Sequence, residues 1–240
     1  GIAHEDTIRT FHSARFMEDP LATQCNLAGN PLHEEQLEIV QMLGEVYALN
    51  TVIDESRQLI HVNFGEIIAS HLQAVEVAEQ ACTTTVDRRF NTVLTSAAGY
   101  PLDRTYYQTV KGMVTPMDIM NEGASLVIAS DCSEGLGSSE YRLAQQRLMD
   151  QGEAHFLEQL LAKQFADVDE WQTEMQLKPM RKASSIHLYS SGLPAADHAL
   201  TGVHMASSIE QAVMASVNRT GDPVVAVIPE GPYVVPRLSS

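Results

Sequence analysis

The segment Ser96–Gly112, SAAGYPLDRTYYQTVKG, gathers more chemistry than any other stretch of this chain. Gly99 allows a tight turn, Pro101 fixes it, and Asp103 is placed to cap the helix that follows. Gln108 and Lys111 are three residues apart in that helix and share a face, with the Tyr107 hydroxyl beside them. A helix N-terminus favours negative charge, so an amide, an ammonium and a phenol there could hold a carboxylate or a phosphate. The same residues equally fit a solvated helix face, where Lys and Gln usually sit.

Other chemistry-bearing residues are sparser. The loop Asp131–Ser138, DCSEGLGS, has two glycines but lacks the third that a GxGxxG dinucleotide loop needs, and it reads as a tight turn with a helix cap. The turns Ser191–Pro194 and Glu230–Pro232 add no further cluster. Nine histidines (4, 12, 33, 61, 71, 155, 187, 198 and 204) form no HExxH or comparable ligand spacing. Each one, taken alone, reads as a surface or hydrogen-bonded histidine. Cys25, Cys82 and Cys132 make no CxxC pair, which argues against a disulfide framework or a zinc site.

The elements that must position these residues fall into two blocks. In the first, Leu37, Val40, Leu43 and Val46 or Tyr47 recur at helical spacing. TVIDESRQLIHVNF then reads as a hairpin around Asp54-Glu55-Ser56, and Ile68, Leu72, Val75 and Ala78 or Ala81 mark a second helix. This block begins abruptly, which suggests further chain before residue 1. From Arg88 the pattern becomes strand, loop, helix. Apolar runs at 91–96, 125–130, 185–190 and 224–229 alternate with helical stretches at 105–121, 139–166, 171–177 and 208–219. Continuous apolar strands separated by helices predict an α/β, doubly wound, mostly parallel sheet covered on both faces. Ligands of such sheets sit at the carboxyl ends of the strands. The division expected is 1–87 as an α+β block, 88–225 as the α/β domain, and 226–240 as a closing segment able to return to the first.

Fifteen basic against 31 acidic residues give a net charge of -16, and no basic stripe suits a nucleic-acid partner. Lys178–Lys182 (KPMRK) reads as a solvated turn. No apolar run reaches the length of a membrane span, and GIAHEDTIRT lacks the features of a secretory leader, so a cytoplasmic protein is expected.

The whole pattern resembles the nickel-dependent lactate racemases. Their S-x-G-G-Y-P-x-D-x-x-x-Y-Q-x-x-K-G string is similar to SAAGYPLDRTYYQTVKG, with Ala98 in place of one glycine, a change that a turn of negative φ tolerates. SLVIASDCSEGLGS, DEWQTEM around Trp171, VIPEGPYVVP, GIAHEDTIRTFHS and GNPLHEEQLEI add further agreement over essentially the whole chain. The resemblance implies a racemase or epimerase of 2-hydroxy acids, working by hydride transfer to a nickel-pincer nucleotide held on a lysine. It implies that Gln108 and Lys111 hold the substrate carboxylate with Tyr107 beside them in the substrate site, that Trp171 lies near it, and that His12 ligates nickel, although Phe11 replaces the family's Asn before it. The cofactor lysine, both catalytic histidines and a carboxylate-gripping arginine are expected upstream of Gly1. On this reading the chain is the C-terminal part of a longer enzyme and carries no catalytic or cofactor-attaching residue. Alone it is expected to be inactive and without cofactor, its partners being the small 2-hydroxy acid and the missing N-terminal part. The alternative is a non-catalytic carboxylate- or nucleotide-binding module on the same fold.

Overall fold

All four apolar runs expected as strands form strands, and helices fold between them, Ser139–Gln151 and Ile209–Thr220 ending at glycines and Tyr106–Val114 just before a proline. The computed structural model describes residues 3–54 and 56–239. Gly1 and Ile2, which open the first family-like motif, and Glu55 of the expected hairpin turn lie outside the described residues. In chain order the elements are α1 (Glu5–Phe11), α2 (Ala14–Met17), α3 (Pro31–Leu43), β1 (Tyr47–Ile53), β2 (Leu59–Glu66), α4 (Ile67–Cys82) and β3 (Thr83–Val86). Then come β4 (Phe90–Ser96), α5 (Tyr106–Val114), β5 (Met120–Ala129), α6 (Ser139–Gln151), α7 (Glu153–Leu161) and α8 (Glu170–Lys182). Last are β6 (Ala183–Tyr189), β7 (His204–Met205), α9 (Ile209–Thr220), β8 (Ala226–Ile228) and β9 (Val235–Leu238).

The chain forms two compact units, residues 18–84 and residues 1–17 with 85–240. The larger unit holds a sheet in the order β7-β6-β5-β4-β8, every neighbouring pair parallel. Helices α5 and α8 pack on β5 together, α5 reaching β4 and α8 reaching β6, while α9 packs on β4 and β5. Val93, Leu126, Ile128 and Leu188 of the strands and Tyr106, Val110 and Met113 of α5 are fully buried in one core. This is the doubly wound α/β arrangement expected. The closing residues contribute β8 to this sheet, and β9 pairs with β3, Ser239 N donating to the Val86 carbonyl.

Several boundaries differ from expectation for local reasons. The 105–121 helix stops at Val114 because Pro116 turns the chain into a 3-10 segment, and β5 already begins at Met120. The 139–166 helix divides at Gly152, whose φ of +78° ends α6. KPMRK is no solvated turn: it is the last turn of α8, where Pro179 is buried and Lys178, half-buried, donates to the Met17 carbonyl.

In the smaller unit, Asn30 caps α3 by accepting from Leu32 N at 3.0 Å. The helical spacing that ran on to Tyr47 is cut at Gly44, φ +77°, and Tyr47 instead opens β1. The β1–β2 hairpin is antiparallel, pairing Leu49 with Phe64 and Thr51 with Val62. Both Glu66 carboxylate oxygens cap α4, accepting from Ile68 N at 3.1 Å and Ala69 N at 2.9 Å, and these bonds lower the Glu66 pKa.

Candidate functional site

Helix α5 projects Tyr107, Gln108 and Lys111, and its placement follows from close packing at its far end. A Cβ at Gly112 would stand 2.6 Å from the Ser96 carbonyl oxygen, so only glycine lets α5 approach the end of β4 this closely. A Cβ at Gly231 would crowd the same carbonyl and the Thr95 hydroxyl. The sequence signals K-G and E-G-P thus both mark close approaches to Ser96.

The start of α5 is built differently from the sequence expectation. Asp103 does not cap it; its carboxylate accepts from Asp131 N at 3.2 Å. Thr105 is the cap, its Oγ1 accepting from Gln108 N at 3.3 Å. The DCSEGLGS loop supplies two more partners: the Gly135 and Leu136 carbonyls accept from Tyr106 N and Tyr107 N, each at 2.9 Å. The first three amides are therefore occupied. An anion on this helix would have to be held by side chains, with the helix dipole as background.

The loop before it also departs from expectation. Ala98 has φ +64° and Gly99 φ +72°, so the alanine occupies a left-handed conformation and not the negative φ that would suit it.

Trp171, the single tryptophan, sits at the start of α8 beside Tyr107. Its indole N–H donates to the Tyr107 hydroxyl oxygen at 3.0 Å, and Gln172 Nε2 donates to the Tyr107 carbonyl at 2.7 Å. Tyr141 meets the Tyr107 ring edge-on at 5.1 Å between centroids. With the indole N–H on its oxygen, Tyr107 keeps its own O–H free to donate. Burial is the main influence on that phenol and raises its pKa, with the Trp171 bond opposing, so it stays protonated at neutral pH.

His12 closes this group from α1. Its ring lies 4.8 Å from Trp171, centroid to centroid. Its Nδ1 must donate to the Ile8 carbonyl, 2.8 Å away, because a carbonyl can only accept. In the neutral ring this bond selects the tautomer with the lone pair on Nε2, the arrangement a metal-ligating imidazole needs. Among the described residues no three His, Cys, Asp or Glu side chains are placed to hold a metal together. His12 could serve as one protein ligand to a metal carried by another group.

Residues between α7 and α8 hold α1 against this site. Arg9 Nε donates to the Ala166 carbonyl at 2.8 Å, and Ala166 N returns a bond to the Arg9 carbonyl at 3.1 Å. Buried Glu170, next to Trp171, accepts from Arg147 at 3.0 Å and from Lys163 at 2.8 Å. Nothing in the sequence pattern marked this clamp, because its members gain meaning only from their spatial partners.

The structure therefore brings His12, Trp171 and Tyr107 into one cluster. Gln108, half-buried, and Lys111, exposed, continue along α5, and neither side chain has a hydrogen-bond or ion-pair partner among the described residues. One cavity of about 410 Å³ opens beside Tyr107, lined by Thr105, Gly137, Ser138 and Asp169. A second, of about 480 Å³, lies at the carboxyl ends of the strands, between Ser96, Asp103, Asp131, Ser191 and Glu230. Its three carboxyl-bearing side chains and no cation would repel an acid substrate. Gln108 and Lys111 line neither cavity.

Residues 86–235 match the lactate racemase C-terminal domain. The chain belongs to that family. The lactate racemase of Thermoanaerobacterium thermosaccharolyticum is 30% identical over 141 residues, 59% of this chain and 33% of that protein. That of Lactiplantibacillus plantarum is 28% identical over 142 residues, with the same coverage. This chain thus matches about a third of the length of either relative. In three dimensions it resembles the lactate racemase apoprotein from T. thermosaccharolyticum with a TM-score of 0.88 at 23% identity, over 99% of this chain and 57% of that one. A Thermotoga maritima protein resembles it more distantly, with a TM-score of 0.59 at 12% identity, over 88% of this chain and 54% of that one. These structural likenesses concern the fold.

Proposed function

We propose that this lactate racemase C-terminal domain chain carries the substrate-holding side of a 2-hydroxy-acid racemase or epimerase, together with one ligand of its metal. The observation that carries this reading is the cluster of His12, Trp171 and Tyr107 beside the unpartnered side chains of Gln108 and Lys111. Lys111 supplies the charge for a carboxylate, Gln108 an amide N–H, and Tyr107 an O–H that the Trp171 bond turns away from the indole. Occupied amides at the start of α5 leave carboxylate recognition to these side chains. His12, with Nδ1 fixed by Ile8, offers Nε2 to nickel. A nickel-pincer nucleotide, when bound, would supply the acceptor for hydride from the substrate carbon. The acid-base histidines, the cofactor-bearing lysine and a second carboxylate-binding cation belong, on this reading, to polypeptide preceding these 240 residues, and the cell compartment is the cytoplasm.

The test uses the longer polypeptide loaded with cofactor. Lys111→Ala should raise KM for 2-hydroxy acids by about 10- to 100-fold, the cost of one charged hydrogen bond. Nickel at His12 should quench the emission of Trp171, and His12→Ala should remove the quench without turnover being measured. The 240-residue chain alone should not interconvert the enantiomers. An unchanged KM in Lys111→Ala removes that residue from the site. Retained quenching in His12→Ala removes the histidine.

A further inference from the structure

The β1–β2 hairpin is built inside out. The face it turns to α4 is small and polar: Asn50 Nδ2 donates to Ser70 Oγ at 2.8 Å, and Asn63 Nδ2 donates to the Ser70 carbonyl at 2.8 Å and to Gln73 Oε1 at 3.0 Å. The opposite face carries Tyr47, Leu49, Ile53, Ile60, Val62 and Phe64, with Leu49 65% and Phe64 72% exposed. Tyr47 and Phe64 stack on one another there at 5.9 Å, and both remain exposed. Among the described residues of 18–84, Ala74 is the only apolar side chain that is buried. A two-stranded sheet with a single helix on its polar side does not support itself in water. Alternation places the apolar set where a core should be, and that core is not made by residues 18–84.

We infer that the outer face of β1–β2 is the docking surface for an apolar layer from further polypeptide of the same protein. This rests on the reading above that the chain acts within a longer enzyme. Two observations favour this occupant. The T. thermosaccharolyticum apoprotein shares the fold over 99% of this chain, yet 57% of its own length accounts for the whole match, so more than two-fifths of it has no counterpart here. A second copy of this chain, by contrast, would bring another net charge of -16 toward the first. Tethered polypeptide meets the face at an effective concentration that no separate partner matches. Uncharged aliphatic and aromatic side chains in register with the Leu49–Phe64 and Thr51–Val62 pairs would complete the layer.

Amide hydrogen exchange of the polypeptide with its upstream reading frame, compared with the 240-residue chain, tests the inference and needs neither nickel nor turnover. Amides of 47–53 and 59–66 should exchange at least about 10-fold more slowly in the longer protein. Phe64→Asp should restore fast exchange and lower Tm there, yet leave the Tm of the 240-residue chain unchanged. Leu49→Ala, a milder change, should move both readouts the same way if Phe64→Asp fails to fold. Equal exchange in the two proteins overturns the inference. So does protection of the 240-residue chain that grows with concentration and survives fusion, which would assign the face to a second copy. A protected hairpin in an inactive longer protein would retain this inference while sinking the racemase reading.

Discussion

At the scale of single residues, side-chain chemistry is decided by which hydrogen-bonding atoms are already used. Trp171 occupies the Tyr107 oxygen and Ile8 occupies His12 Nδ1, and each bond leaves a defined donor or lone pair available. Lys111 and Gln108 spend nothing within the described residues. Ala98 shows the reverse case, a side chain paying for backbone geometry. Its φ of +64° costs an L-residue about 1 kcal/mol, and Ala98→Gly should stabilise the larger unit by about 0.5–1 kcal/mol in urea denaturation. No gain in the urea midpoint would mean that the loop relaxes around alanine.

At the scale of elements, the site depends on how α1 and α8 are tied together. Glu170 is 2% exposed and faces Arg147 and Lys163. Glu170→Ala would take an acceptor from the Asp167 amide and one from each cation, Lys163 keeping Asp167 and Arg147 keeping Gln159, at a cost of about 1–3 kcal/mol. The Trp171 emission should shift to the red as the indole loses its packing, and an unchanged spectrum would unlink the clamp from the site. Lys163 holds the Asp167 carboxyl below its usual range. The stability this gives is present above the unfolded value of about 3.9 and is lost as pH falls through the lower folded value, so the clamp is intact at neutrality. The β6–β7 pair loses stability on acidification too, in a higher pH range. Burial, with His204 and Arg219 nearby, lowers the His187 pKa. An imidazole depressed on folding costs stability when pH drops below its unfolded value near 6.5 and on through the folded one. The urea midpoint should therefore be lower at pH 5.5 than at pH 7.5, and His187→Gln should narrow the difference.

At the scale of the whole molecule, the two units differ in what they bury. The larger has a continuous core from Val93 through Leu188, whereas residues 18–84 bury only Ser70 and Ala74 among those described. In the 240-residue chain, limited proteolysis should therefore cut first within 18–84 and leave 85–240 protected. First cleavage inside β4–β6 would contradict this ordering. Completion of the smaller unit and completion of the active site are, on the reading proposed here, one event. The same polypeptide that covers the hairpin would bring the catalytic histidines.

Local pattern in the sequence was enough for the four apolar strands, the alternating helices and the doubly wound α/β class, because strand and helix periods are set by nearest neighbours. It was also enough for the family, since K-G and E-G-P record steric limits that only glycine meets around Ser96. Helix ends were less legible: Gly44, Gly152 and Pro116 cut helices that apolar spacing alone continued. Tertiary structure alone decided that His12 meets Trp171, that the Gly135 and Leu136 carbonyls occupy the α5 amides, and that Ala98 is left-handed. It alone showed that the hairpin turns its apolar side away from α4. These are long-range pairings, and a residue's type fixes what it can bond to but not which distant partner packing brings within reach.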